Sequence, residues 1–193
     1  MTTTPTQSLL DKIESYRPQG FQLANFEDLP EFICGNAQDS KAATGCTAII
    51  APTGAVCGVD VRGGGPATRE TDLLKPENMV EAVHAVVLSG GSAFGLAAST
   101  GVMDELAARS IGFELCGAYV PLVVGACLFD LPFGQNTYPH AEMGKQAVQS
   151  AFNKEPFREG ELWSWLWSHG RENAQPRSSH ESWAGSLRPA RCR

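Results

Sequence analysis

One stretch limits the possible folds more than any other: HAVVLSGGSAFGLAASTGVMDELAARSIGF, residues 84–113. It opens on AVVL, an apolar run short enough for one buried strand. SGGS follows as a tight turn. Ser92 stands where a helix over about 93–109 would begin, and its hydroxyl is placed to cap that helix. Gly95, Ala97, Ala98 and Gly101 leave the start of the helix small-sided, which suits close packing on a sheet or a second helix. Asp104 and Glu105 precede Arg109 by five and four residues. A strand, a glycine turn and a small-faced helix in direct succession point to an α/β-layered domain.

The neighbouring segments extend this pattern. GCTAIIAPTGAVCGVDVR, residues 45–62, places two apolar runs on either side of APTG and predicts two strands joined by a hairpin. VPLVVGACLFDLPFGQ predicts a buried strand that ends at Phe129 and Asp130. PHAEMGKQAVQSAFNK predicts a helix over about 141–152, with Met143, Ala147, Val148 and Ala151 on one core-facing side. The order strands, helix, strand, helix has no internal repeat, and its sheet is unfinished.

Composition excludes several classes. Hydrophobic residues are 42% and charged residues 19% of the 193, enough apolar content for a core. A net charge of −6 fits poorly with a nucleic-acid partner. No run approaches the length a membrane span needs. The first residues, MTTTPTQSLLDKIESYRPQG, lack the apolar h-region of a signal peptide, and residues 1–19 read as a flexible segment. The six cysteines form no CxxC pair and five lie among small apolar residues, which fits a reducing, cytoplasmic location. His84, His140, His169 and His180 are too scattered for a zinc site, and neither a metal nor a cofactor is expected.

Chemistry-bearing candidates carry two readings each. Ser92 on a strand-to-helix turn suggests a hydrolase nucleophile, but the elbow pattern G-x-S-x-G has Phe94 in place of its second glycine. The alternative is a structural cap, with Gly90 and Gly91 lining a pocket through exposed backbone N–H groups. Asp130 reads as an active-site carboxylate or as a strand-end turn residue. Gly63, Gly64 and Gly65 read as a phosphate or oxyanion cradle or as a loop; no Lys-Ser/Thr follows to make a P-loop.

Composition changes at residue 158. All four Trp and six of the ten Arg lie from there onward, with no Lys and no Asp. Residues 1–157 carry 9 basic and 17 acidic groups, net −8, whereas 158–193 carry 6 and 4, net +2. The tail reads as a Trp/Arg binding segment or as a plain disordered end. A third reading fits the codons. Moved one base downstream, each Trp codon TGG becomes a glycine codon and each serine encoded by AGC becomes alanine. WSWLWSHGRE then recodes as G-A-G-x-G-A-(T/M)-x-x-(K/R). On this reading residues 158–193 are an out-of-frame product.

GAVCGVDVRGGGPATRETDLL, the strand–turn–helix stretch above, VPLVVGACLFDL and YPHAEMGKQAV together resemble the L-aminopeptidase/D-esterase family, which includes β-aminopeptidases and nylon-oligomer hydrolases. The resemblance covers about residues 20–160. It implies a four-layer αββα sandwich, similar in layering to N-terminal-nucleophile hydrolases and incomplete in this chain. It also implies a precursor that cuts itself and exposes a Ser or Thr nucleophile at the new N-terminus. Such enzymes release N-terminal residues from small peptides, amides or esters without a metal, and intact relatives assemble as homo-oligomers. After the second helix the family continues with a segment like EGNxGAGTGATVGK. Glu159 and Gly160 match it in frame, and the shifted reading restores the rest. The nucleophile has no counterpart here, so no catalytic residue is assigned and the chain is expected to be inactive. Gly90, Gly91, Ser92 and Phe129 are the expected substrate-binding residues. Phe129 stands where some relatives place a pocket tyrosine and lacks its hydroxyl. Two alternatives stay open: a non-catalytic interaction protein using its Trp/Arg tail, and a serine hydrolase using Ser92.

Overall fold

A computed structural model describes residues 28–132 and 135–157. The N-terminal segment 1–19 and the tail 158–193, with the readings attached to them, lie outside the described residues.

The described chain is a mixed α/β layer. β1 (Ile33–Asp39), β2 (Thr44–Ala55), β4 (Val83–Ser89), β7 (Val123–Cys127) and the two-residue β3 (Thr68–Arg69) form one sheet in the order β1-β2-β4-β7-β3. β4 and β7 run parallel; the other neighbours are antiparallel. Between β4 and β7 the chain makes helix α1 (Ala97–Ala108) and a small hairpin, β5 (Phe113–Leu115) with β6 (Ala118–Val120). Helix α2 (Ala141–Phe152) follows β7.

Register assigns the two faces of the sheet. Ile33–Ile50–Ala85–Val123, Gly35–Ala48–Val87–Gly125 and Ala37–Cys46–Ser89–Cys127 form cross-strand rows on one face. This face meets Ala98, Val102 and Leu106 of α1 and Ala147, Val148 and Ala151 of α2 to make the core. The approach is backbone-close because small residues permit it. A Cβ on Gly35 would lie 2.2 Å from the Ala147 carbonyl oxygen, and one on Gly101 would lie 1.7 Å from that of Ala141. The opposite face carries Cys34–Ile49–Val86–Val124 and Asn36–Thr47–Leu88–Ala126. Leu88 is 48% exposed, and Phe32, Ile49, Val83 and Val86 line a shallow apolar depression of about 80 Å³.

The second helix forms at the expected residues, and its expected core-facing side is buried except for Met143, which is partly covered. The hairpin expected at APTG does not form. β2 runs straight through it, with five steps along β2 matching two along β4, so the turn signal is absorbed as a bulge with Gly54 at φ +81°. Residues 56–62, expected as the second strand, are not strand; Val56 is 90% exposed. β2 instead forms its hairpin with β1, whose sequence ICGNAQD carries only a weak strand signal. The turn that joins them is held by Asp39, whose carboxylate accepts the N–H groups of Lys41 (2.9 Å) and Ala42 (3.0 Å).

Candidate functional site

β4 and β7 are parallel neighbours and end together, so the residues just after them share one edge of the sheet. In layered α/β proteins this carboxyl edge is where ligands are held. Gly90, Gly91 and Ser92 follow β4; Phe129 and Asp130 follow β7 by two and three residues. The loop of Gly63, Gly64 and Gly65 leads into β3, antiparallel to β7, and so approaches from the same edge. A Cβ placed on any of these three glycines would have no atom beyond its chain neighbours within 4 Å, so the loop stands in open space.

The turn after β4 is bound from several directions. The Gly90 N–H donates to the Gly45 carbonyl (3.0 Å) and the Ser92 N–H to the Leu128 carbonyl (2.8 Å). The Gly91 N–H donates to Oδ1 of Asp130 (2.5 Å). Buried Ser89 lies within hydrogen-bond reach of the carbonyls of Gly90 (2.9 Å) and Gly95 (3.1 Å), joining the strand end to the first helical turn. This corrects the expectation of exposed N–H groups at Gly90 and Gly91. Both residues are buried and both donors are used within the fold.

The capping expectation is also corrected. Ser92 is the first residue of a 3₁₀ turn, Ser92–Leu96, that precedes α1, and no side-chain hydrogen bond caps either element. Gly91 (φ +83°) and Ser92 (φ +54°) are both left-handed. Glycine adopts this region freely, but serine does so at a cost of about 1–2 kcal/mol and stays only where its surroundings hold it.

Asp130 is a buried carboxylate just beyond the end of β7. It is 3% exposed; besides the Gly91 bond, its Oδ2 accepts the Thr44 hydroxyl (2.7 Å) from the start of β2. Gly90 makes this possible, because a Cβ there would lie 2.0 Å from Oδ2 and 2.4 Å from the Thr44 oxygen. Thr44 was not foreseeable from the sequence: nothing in ATGCTAII sets it apart from Thr47. The same holds for Tyr138, which stacks on Phe94 (centroids 4.9 Å apart, 23° between planes) and packs against His140 (4.4 Å) beside Gly91. Phe94 is 60% exposed and Phe129 is 43% exposed, so aromatic surface borders the turn.

The cysteines near the site are poor nucleophiles. Burial pushes the Cys127 thiol up to about 11 and that of Cys46 up to about 12. Ser89 stands between them across the sheet, which sets their Cα atoms two strand spacings apart, roughly 9–10 Å. That exceeds the reach of a disulfide. Among the described residues, no hydrogen bond joins Ser92 to a histidine, and His84 lies at the opposite end of β4. Among them, too, no three His, Cys, Asp or Glu side chains gather as a metal site, and no helix is long and apolar enough to cross a membrane.

The model of peptidase family S58 matches residues 27–162. An uncharacterized aminopeptidase of Mycobacterium leprae is 50% identical over 112 residues, 58% of this chain and 31% of that protein. An uncharacterized aminopeptidase of Mycobacterium tuberculosis is 49% identical over 110 residues, 56% of this chain and 32% of the relative. A 6-aminohexanoate-oligomer endohydrolase of Paenarthrobacter ureafaciens is 32% identical over 139 residues, 70% of this chain and 36% of that enzyme. The chain thus aligns with about a third of the length of these relatives.

Proposed function

The chain belongs to peptidase family S58, a hydrolase family, and from that premise we propose that it is the N-terminal portion of a self-processing aminopeptidase-type hydrolase. The intact enzyme cleaves peptide, amide or ester bonds next to an N-terminal residue. Its Ser or Thr nucleophile is released by self-cleavage and belongs to the part this chain lacks. An N-terminal nucleophile uses its own α-amine or a neighbouring group as base, and needs donors aimed at the developing oxyanion. This chain supplies one wall of that pocket. The Ser92 hydroxyl and the Phe129 surface face the substrate, while Gly90 and Gly91 line the pocket by admitting close neighbours, Gly90 the Asp130 carboxylate and Gly91 the Tyr138 side chain. Phe129 contributes apolar area and no hydrogen bond.

One observation carries the reading. The family match stops at residue 162, and Trp163 opens the segment that recodes as G-A-G-x-G-A one base downstream. In this reading residues 20–157 are the native part of a four-layer αββα domain and residues 158–193 are out of frame. The open sheet face bearing Leu88 is then the surface the second sheet covers. Small peptides or amides are the substrates of the whole enzyme, which is cytoplasmic and homo-oligomeric and works without a cofactor.

The test begins with the nucleotide sequence around codon 160 and the bases beyond it. Restoring the frame should yield a longer protein that splits in two on denaturing gels and hydrolyses amino-acid p-nitroanilides. The 193-residue chain should not exceed a heat-killed control. An uninterrupted gene with no open continuation in a neighbouring frame, or a restored product that never splits, overturns the proposal.

A second reading draws on the geometry of Ser92. A serine at positive φ between a strand and a helix is the posture of a hydrolase nucleophile. If Ser92 attacks substrate, a fluorophosphonate probe labels the chain and Ser92→Ala abolishes labelling. An unlabelled chain removes this alternative.

A further inference from the structure

We propose that Asp130 is the positioning residue for Ser92, holding the Gly91–Ser92 turn in the left-handed pair that carries the serine hydroxyl at the carboxyl edge of the sheet. The hydrolase reading gives Ser92 its functional meaning, but the test below does not depend on turnover.

Three observations converge on Asp130. Its carboxylate is buried and joins two strand ends, through the Thr44 hydroxyl at the start of β2 and the Gly91 N–H after β4. The neighbouring backbone is cleared for it, since a side chain at Gly90 would occupy the carboxylate's place. The turn it holds is one that serine does not adopt unaided.

Two bonds fix that turn from the segment after β7: Asp130 Oδ1 on the Gly91 N–H and the Leu128 carbonyl on the Ser92 N–H. The second acceptor is backbone and survives any substitution. The first is lost with the carboxylate, leaving a buried donor without a partner. The turn then relaxes toward right-handed φ at Ser92, and the hydroxyl swings with it. Asparagine has an oxygen in the same place and keeps the bond.

The assay is NMR on the isotope-labelled 193-residue chain, comparing wild type with Asp130→Ala, Asp130→Asn and Thr44→Val. In Asp130→Ala the Gly91 amide proton should move upfield and its exchange with solvent accelerate roughly 10- to 100-fold, the factor that a bond to a charged acceptor carries. The backbone couplings of Ser92 should lose their left-handed signature while the Ile50 and Val87 amides keep their protection. Asp130→Asn should restore both signals. If the alanine variant does not fold, the other two decide: Asn retains the Ser92 signature and Thr44→Val weakens it. A left-handed Ser92 in Asp130→Ala, a parallel loss of core protection, or failure of Asn to rescue overturns the assignment.

Discussion

Replacing Gly101 by alanine sets two physical effects against each other. Gly101 lies inside α1, where alanine is favoured over glycine by about 1 kcal/mol. A propensity argument therefore expects stabilisation. The packing expects the reverse. A Cβ at this position would lie 1.7 Å from the Ala141 carbonyl oxygen and 2.5 Å from its carbon, and these are backbone atoms of α2 that no rotamer change can move. Relief requires the helices to separate, which loosens Ala98, Val102, Ala147 and Val148 in the shared core. Overpacking costs about 1–3 kcal/mol, and a rigid obstacle puts this site at the upper end. The propensity gain offsets part of it, leaving a net loss of about 2 kcal/mol. For a chain of this size that is a fall of roughly 4–8 °C in Tm. Thermal and urea unfolding followed by circular dichroism measure it. Gly58→Ala, which has open space around the added methyl, serves as the control and should change stability by less than about 0.5 kcal/mol. A Gly101→Ala variant as stable as wild type, or more so, refutes the backbone contact between α1 and α2.

Three further outcomes follow from single residues. His84 is buried, accepts the Leu122 N–H at Nδ1 (3.1 Å), and is held by burial below its ordinary value of 6.5. Its neutral form is therefore the one that fits: its contribution is full above pH 6.5 and is lost as pH falls from there toward the lower folded value. Tm should decline between pH 7.5 and 5.5 in the wild type and less steeply in His84→Gln. Among the described cysteines, exposed Cys116 should react first with a thiol reagent at pH 8, whereas Cys46, buried and raised to about 12, should react only on unfolding; rapid native labelling of Cys46 contradicts its placement. Leu88→Ser should change stability by under about 0.5 kcal/mol yet reduce self-association in light scattering, because Leu88 lies on the open apolar face; unchanged association argues that this face is not the sticky one.

Local pattern located the elements where side chains alone decide. α2 was legible because its apolar residues recur at helical spacing, and β4 because AVVL is a short apolar run before a glycine turn. The glycine- and alanine-rich start of α1 announced a close approach without saying to what. The pairing of β2 was not legible. An apolar run needs partner edges to become a strand; β2 finds them in β4 and in β1, whose sequence carries little strand signal, while the APTG turn signal is absorbed as a bulge. Of the site, Gly90, Gly91 and Ser92 stand out in the sequence as a glycine turn before a helix and Phe129 only through the family resemblance, but how the glycines act is not legible there. Their N–H groups had been expected to face a ligand; folding uses them on Gly45 and Asp130.

The strand–turn–helix succession over residues 84–109, the small-residue helix face and the change of character at residue 158 were written in the chain alone, since each rests on spacing or composition along it. Tertiary structure alone decided the seat of Asp130. Its two partners, Thr44 and Gly91, are 86 and 39 residues away in sequence, and they meet it only because β2, β4 and β7 lie side by side. No local pattern encodes a hydrogen bond between strand ends that sheet pairing brings together.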